Sequence, residues 1–290
     1  MIIDSHFHLA PEEITARQII AAMDEHGIRK TALIAKICGP IEEPGQGLLS
    51  LMRFAMQRAM TRHLVKPFVS RFTEEGEVKL PGRAVPIDPD PDNEAVFEAV
   101  GAYPNRFLGW AFVNPHGIRS PLKELTRWEA HPGFIGAKAH PFWHRYPPMA
   151  LASVAARLEQ TGSPLLIHLG FGKHGKLKPL VEAFPRMNVI VAHAGVPYYQ
   201  HLWREFKENK NIYFDLSANA FVTPTIMKQV VEFLGPERCI FGTDGPFGPK
   251  NTEGFFDHGY MMRLIEKTFP DEGVQRQLLG GTFREVTGLM

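Results

Sequence analysis

The sequence contains only two cysteines in 290 residues, Cys38 and Cys239, and they lie far apart. They cannot build a disulfide framework and lack the CxxC spacing of a thiolate metal site, so we interpret both as packing residues in a reducing compartment. The chain also lacks an apolar run of about 18 residues, and no basic and apolar leader precedes its first predicted strand. We therefore expect a cytoplasmic protein with no membrane partner.

The sequence also has no large excess of positive or negative charge. The 32 lysine and arginine residues balance 31 aspartate and glutamate residues, which gives a formal net charge of +1 at pH 7. No bulk field favours nucleic acid or an anionic membrane surface, so the expected partner is a small-molecule substrate. A hydrophobic fraction of 44% and a charged fraction of 22% are typical of a folded globular protein.

Short apolar segments recur along the chain, and most precede a turn and then a segment with helical periodicity. This alternation is typical of parallel βα units and predicts an α/β fold, a single (β/α)8 TIM barrel over residues 1–290. The predicted strands are residues 2–5, 31–35, 107–113, 134–139, 164–168, 189–193, 212–216 and 239–243. The predicted helices between them are residues 14–25, 149–160, 177–184 and 225–234.

Residues 39–86 interrupt this alternation and are interpreted as an insertion after the second strand. Within it, residues 48–64 have helical periodicity. An insertion at the C-terminal end of a barrel strand is expected to cover the active site, where arginines can bind a substrate carboxylate. The alternative is a solvated helix face at an interface. No acidic residue occurs in 44–73, which contains Arg53, Arg58, Arg62, Lys66 and Arg71.

The first predicted strand is followed by His6-Phe7-His8. Alternation along an extended chain places both imidazoles on one face and Phe7 on the other, so the two histidines can grip a metal ion. An HxH pattern alone is weak evidence, because two histidines fall in this pattern by chance fairly often.

Three more potential ligands follow three other predicted strands: His168, His193 and Asp244. The C-terminal strand ends of a parallel barrel converge on one mouth, so these side chains are expected to meet. The alternative, that each one merely caps a strand end, requires a coincidence at four strands. Imidazole and carboxylate ligands suit Zn²⁺, and also Mn²⁺ or Fe²⁺. Asp244 would transfer protons and His193 would polarise a substrate oxygen.

Further motifs are spread over the whole chain: DSHFH at 4–8, YPNRF at 103–107, VNP at 113–115, GAKAHP at 136–141, AHAG at 192–195 and FGTD at 241–244. With His168, they resemble the amidohydrolase superfamily, in particular its branch of short metal-dependent barrels that includes aminocarboxymuconate semialdehyde decarboxylase. The resemblance implies one catalytic metal held by three histidines and one aspartate: His6, His8, His168 and Asp244. It implies that His193 is catalytic.

The resemblance also bears on Lys138. In members with two metals, a carbamylated lysine on the fourth strand bridges the ions, and Lys138 and His193 would then both be ligands. Lys138 alternatively neutralises a substrate carboxylate. The Lys-x-His pattern at Lys138 and His140 is similar to that of urease, where the histidine meets the substrate. We predict substrate contacts for His140, Lys138, His174 and Arg71.

One departure concerns the residue after Asp244. Members of this branch often have an aromatic residue there, whereas this chain has Gly245, so the pocket wall is expected to differ. Since such barrels often pair, a homodimer is a further expectation.

The leading hypothesis is a metal-dependent hydrolase, in which metal-activated water attacks an amide, ester or lactone of a small carboxylated substrate. The alternative is a non-oxidative decarboxylase of a carboxylated aromatic or muconate-like acid, which requires the same ligands. A third hypothesis is a metal-binding barrel without catalysis. The presence of both His193 and Asp244 argues against it, because a structural metal needs no open coordination position.

Replacing both His6 and His8 by alanine is expected to remove the bound metal, because the two imidazoles supply adjacent ligands. Elemental analysis of the purified protein measures the metal content. His26→Ala is a suitable control, since His26 precedes Gly27 at a predicted helix end. Stoichiometric metal in the double variant would contradict the predicted ligand pair.

Overall fold

The computed structural model describes residues 1–39, 45–65, 72, 76–80 and 83–289. Eight of its strands form one parallel sheet, and the remaining two form an antiparallel hairpin within the described residues. The strands are β1 (Ile2–Leu9), β2 (Ile28–Ala35), β3 (Glu77–Leu80), β4 (Arg83–Pro86), β5 (Phe107–Phe112), β6 (Phe134–Ala139), β7 (Leu165–Ile167), β8 (Val189–Val191), β9 (Ile212–Asp215) and β10 (Cys239–Ile240).

The parallel strands follow the order β1-β2-β5-β6-β7-β8-β9-β10. Backbone hydrogen bonds then join the last strand to the first: the N–H of Ser5 donates to the carbonyl of Phe241 (3.2 Å), and the N–H of Asp244 donates to the carbonyl of His6 (2.8 Å). The sheet therefore closes into the predicted (β/α)8 barrel.

All eight predicted barrel strands are present, and the largest difference is the length of the first. β1 continues to Leu9, so His6 and His8 lie within the strand rather than after it. The predicted alternation is confirmed, because Phe7 is fully buried and packs on Phe256 and His258, away from the two histidines.

Helices connect most of the barrel strands and cover the outside of the sheet, with a continuous hydrophobic core between the two layers. Two of them begin at a threonine whose hydroxyl accepts a helical backbone N–H: Thr15 forms a capping box with Gln18, and Thr223 precedes Pro224. The helices are Ala16–Glu25, Gln46–Met56, Asn93–Ala102, Pro121–Trp128, Pro141–His144, Ala152–Thr161, Lys178–Ala183, Gln200–Glu205, Pro224–Leu234, Tyr260–Thr268, Glu272–Arg276 and Thr282–Thr287. Among the described residues, none of the helices has both the length and the hydropathy needed to cross a bilayer.

The segment between β2 and β5 differs in detail from the prediction. Instead of one helix over residues 48–64, the structure has the helix Gln46–Met56 and a 3₁₀ turn at Arg62–Leu64. The β3-β4 hairpin follows and was not predicted. The four residues of β3, Glu-Val-Lys-Leu, alternate between polar and apolar side chains, but so short a segment is a weak signal.

The barrel closure includes the buried carboxylate of Asp4. Its Oδ1 accepts hydrogen bonds from the N–H groups of His6 (3.1 Å) and Thr243 (3.0 Å). Its Oδ2 accepts from the hydroxyl of Thr243 (2.7 Å) and from Nε2 of His258 (2.9 Å). Asp4 thus links β1, the segment after β10 and the later loop that contains His258.

Asp4→Ala is expected to lower the free energy of unfolding by about 3 kcal/mol, because several buried donors would lose their acceptor. Urea denaturation followed by circular dichroism measures this change. The exposed Asp271 caps the helix Glu272–Arg276, so Asp271→Ala should cost only about 1 kcal/mol. Equal losses for the two variants would show that Asp4 does not stabilise the closure.

Candidate metal centre and active site

The two histidines of β1 and the aspartate after β10 come together at the C-terminal end of the barrel. Nε2 of His6 lies 3.2 Å from Oδ1 of Asp244, and Nε2 of His8 lies 3.5 Å from the same oxygen. Two ligands about 2.1 Å from a tetrahedral zinc ion are about 3.4 Å apart, so these spacings fit a shared divalent cation. The side chains of His6, His8 and Asp244 are thus spaced as the ligands of one metal ion would be.

Hydrogen bonds on the other ring nitrogens orient both imidazoles. Nδ1–H of His6 donates to Oδ2 of Asp215 (2.8 Å), and Nδ1 of His8 lies 3.4 Å from the carbonyl oxygen of Ala35. Each Nε2 is then left with the lone pair that a metal ligand requires. Burial and the nearby Lys138 ammonium lower the pKa of His6 to about 4, so His6 is neutral at pH 7.

Asp244 carries the negative charge of this cluster. Burial acts to raise its pKa, but the adjacent imidazoles of His193, His6 and His8 outweigh burial and hold it well below the usual range. Its backbone lies in the left-handed region with a φ of 64°, as does that of His193 with a φ of 53°. This conformation costs a non-glycine residue about 1 kcal/mol, and such strain concentrates at functional sites.

His168 and His193 lie beside this cluster and contact each other. Nδ1 of His168 is 3.1 Å from Nε2 of His193, and the same Nε2 is 3.9 Å from Oδ2 of Asp244. His168 lies outside the cluster of His6, His8 and Asp244, so its predicted role as a ligand stays a prediction. Burial, followed by the proximity of His193 and Lys138, lowers the pKa of His168 well below the usual value, which favours the neutral form that binds metals.

Lys138 on β6 is fully buried within the same group of side chains. Its Nζ lies 3.1 Å from Nε2 of His6. Burial lowers its pKa to about 8, although the carboxylates of Asp215 and Asp244 act in the opposite direction. The amine is therefore mostly protonated at pH 7 but loses its proton more readily than an exposed lysine, and the neutral amine is the form that reacts with carbon dioxide to give a carbamate.

A cavity of about 210 Å³ opens next to these residues. Its polar lining residues include His8, His140, His168, His193, Asn219 and Asp244, and the rest of the lining is largely apolar and aromatic. The apolar wall includes Ile37, Leu49, Trp143, Phe221 and Phe247.

The residues predicted to contact the substrate differ in their position relative to the cavity. His140 lines the cavity and stacks on His168 with ring centroids 4.2 Å apart, whereas His174 lies in the 3₁₀ turn Gly172–Gly175 and does not line it. Arg71 lies outside the described residues. Cys38 also lines the cavity, which differs from the packing role that we expected, and burial raises the pKa of its thiol to about 11.

The described arginines of the insertion bind backbone carbonyl groups rather than facing the cavity. Arg53 donates to the carbonyl of Ala220 (2.8 Å), Arg58 to that of Phe54 (3.0 Å) and Arg62 to that of Met56 (2.9 Å). Leu49, in the same helix as Arg53, does line the cavity. The expectation that the whole of residues 39–86 covers the active site stays a prediction.

Two buried residues that hydrogen-bond to the histidines of the site, Asp215 and Ser217, were not predicted from the sequence. Asp215 ends β9 and Ser217 lies two positions later in an alternating Phe-Asp-Leu-Ser pattern, which places both polar side chains on one face. A buried carboxylate at a strand end was the available signal. Burial acts to raise the pKa of Asp215, but its contacts with His6, His193 and Ser217 lower it well below the usual range.

Comparison with known families agrees with this arrangement. The family model described as amidohydrolase matches residues 3–288. The chain therefore belongs to the amidohydrolase family and is a metal-dependent enzyme of that superfamily. Among curated proteins, none has a sequence that matches this chain.

Solved structures with the same fold include both decarboxylases and a hydrolase. The 2,6-dihydroxybenzoate decarboxylase from Rhizobium has 16% identity and a TM-score of 0.64, with 99% of this chain and 98% of that chain covered. A protein described as a probable 2-pyrone-4,6-dicarboxylic acid hydrolase from Acinetobacter baumannii has 16% identity and a TM-score of 0.64, with 99% of each chain covered. The 5-carboxyvanillate decarboxylase from Novosphingobium aromaticivorans, complexed with manganese, has 14% identity and a TM-score of 0.61, with 100% of this chain and 96% of that chain covered. At these identities the likeness establishes the fold.

Asp215→Asn is expected to weaken metal binding by about 10- to 100-fold, because the amide cannot hold the Nδ1–H of His6 as the carboxylate does. Competition with a chromogenic chelator measures the dissociation constant. Asp257→Asn is the control, since Asp257 pairs with Arg263 outside the cluster. An unchanged dissociation constant in Asp215→Asn would rule out this orienting role.

Proposed function

We propose that the protein is a metal-dependent hydrolase that cleaves an amide, ester or lactone of a small, single-ring, carboxylated substrate. The observation that carries the proposal is the position of Asp244, whose Oδ1 faces the His6 and His8 pair while Oδ2 lies 3.9 Å from Nε2 of His193. One carboxylate thereby adjoins both the metal donor atoms and a potential acid–base group.

His6, His8 and Asp244, with His168 as the predicted fourth ligand, would hold one divalent cation, and we propose zinc, with manganese or iron as alternatives. A bound cation supplies Lewis-acid polarisation and lowers the pKa of the attacking water. If the site binds two metal ions, Lys138 and His193 would also be ligands.

One proton of the attacking water passes to Oδ2 of Asp244 and is then delivered to the leaving group, with Nε2 of His193, 3.9 Å from that oxygen, as the second acid–base group. His140 is proposed to bind the substrate carbonyl. Its Nδ1 accepts the backbone N–H of Trp143 (3.1 Å), which leaves Nε2–H of the neutral ring as a donor. Burial and the adjacent His168 hold the pKa of His140 well below its usual value, so the ring is neutral.

The cavity supports a substrate with one ring, because about 210 Å³ bounded by Trp143, Phe221 and Phe247 accommodates little more. The substrates in the names of the similar structures are also single-ring acids. No described arginine lines the cavity, and Lys138 is fully buried and is not among the lining residues. A substrate carboxylate would therefore be bound by the metal or by Arg71.

Non-oxidative decarboxylation is the second candidate, and the apolar side of the cavity favours it. A carboxylate enclosed by Leu49, Trp143 and Phe221 would lose hydration, and this loss favours release of neutral carbon dioxide. The protonated pair of Asp244 and His193 would then deliver a proton to carbon.

A substrate panel separates the two reactions. Metal-loaded protein is incubated with aryl esters, lactones and pyrone carboxylates, followed by acid release in a pH-stat, and with hydroxybenzoates, followed by carbon dioxide release. We expect hydrolysis, and Asp244→Asn should lower kcat by about 10²- to 10⁴-fold at saturating metal with an unchanged circular dichroism spectrum. Carbon dioxide release without any hydrolysis would replace the hydrolase by the decarboxylase, and full activity of Asp244→Asn would remove Asp244 as proton carrier.

A further inference from the structure

The two carboxylate oxygens of Asp215 serve different histidines. Oδ2 accepts the Nδ1–H of His6 at 2.8 Å. Oδ1 accepts the backbone N–H of His193 (3.0 Å), the backbone N–H of Ser217 (2.9 Å) and the hydroxyl of Ser217. Asp215 and Ser217 are fully buried, so bulk water does not compete for these bonds.

The hydroxyl of Ser217 bridges Asp215 and His193, which do not bond directly through their side chains. Nδ1 of His193 is 3.9 Å from Oδ1 of Asp215 but 2.8 Å from Oγ of Ser217. An ionised carboxylate can only accept, so the Ser217 hydroxyl must donate to Asp215. Its oxygen then accepts the Nδ1–H of His193.

We propose that Ser217 is a positioning residue that holds His193 in the Nδ1–H tautomer, with Nε2 as the proton acceptor. Nε2 of His193 is the atom that lies 3.1 Å from Nδ1 of His168 and 3.9 Å from Oδ2 of Asp244. Asp215 thus orients the metal ligand His6 directly and the acid–base His193 through Ser217.

The use of Nε2 of His193 as a proton acceptor in turnover rests on the proposed function, whereas the tautomer of the resting ring does not.

The tautomer is measured by long-range ¹H–¹⁵N NMR of zinc-loaded protein with ¹⁵N-labelled histidine, in which His193→Gln identifies the signals of the ring. We expect wild-type His193 to carry its proton on Nδ1, and Ser217→Ala to give a mixture of tautomers or the Nε2–H form. Retention of a pure Nδ1–H ring in Ser217→Ala would overturn the proposal, whether or not any substrate is hydrolysed.

Kinetics and metal analysis give the second readout. Ser217→Ala should lower kcat by about 10- to 100-fold with little change in KM, and should retain the bound zinc. Oγ of Ser217 also lies 3.3 Å from Nδ1 of His6, so loss of zinc in this variant would show that Ser217 acts chiefly on the metal ligand and would overturn the proposal. Ser217→Thr keeps a hydroxyl and should restore the Nδ1–H tautomer, and Ser217→Cys replaces Ser217→Ala if the alanine variant does not fold.

Ser5→Ala is the matched control. Oγ of Ser5 is buried at the same end of the barrel and has no hydrogen-bond partner among the described residues. This variant also loses a buried hydroxyl, but one without a hydrogen-bond partner among the described residues, so it should leave the His193 tautomer, zinc content and kcat unchanged. An equal effect of Ser5→Ala and Ser217→Ala on the tautomer would show that the hydroxyl of Ser217 has no specific role.

Discussion

Buried in the wall of the barrel, the carboxylate of Asp4 accepts hydrogen bonds from both strands that meet at the closure. One strand carries His6 and His8, and the other leads into Asp244. His6 and His8 lie more than 230 positions before Asp244 in the chain, and the closure brings Nε2 of each histidine within 3.5 Å of Oδ1 of Asp244. At the same place, a Cβ on Gly245 would lie 2.3 Å from the ring of Phe7, so the closure leaves no room for the aromatic residue that similar proteins often have there.

Hydrogen-bond donors of the protein, rather than solvent, stabilise the negative charges of the buried carboxylates in the site. Asp215 and Asp244 are both ionised because imidazoles and hydroxyls surround them, which offsets the large cost of burying a carboxylate. Burial, in contrast, lowers the pKa of His6 and His168 and favours their neutral forms. Neutral nitrogen donors next to fixed carboxylates form an environment that a divalent cation completes, since the cation supplies the missing positive charge.

Periodicity in the sequence was sufficient to predict the barrel, because buried parallel strands have continuous apolar runs and the helices between them have one apolar face. The same rules predicted that residues ending separate strands would meet at one mouth. They were less informative for residues 39–86, where the β3-β4 hairpin has only two short strands. Ends of strands were also poorly predicted, and β1 extends to Leu9 because its later residues bond to β2 and to Gly245.

By itself, the sequence determined the barrel, the family and the set of residues that can bind a metal, since these follow from local patterns and from motifs. Only the tertiary structure decided how the set divides, with His6 and His8 aimed at Asp244 while His168 and His193 contact each other. It also decided that Asp215 and Ser217 support the site, and that Arg53 binds a backbone carbonyl instead of facing the cavity. The physical reason is that hydrogen-bond partners and ring orientations depend on distances of about 3 Å between segments remote in sequence, which no local pattern encodes.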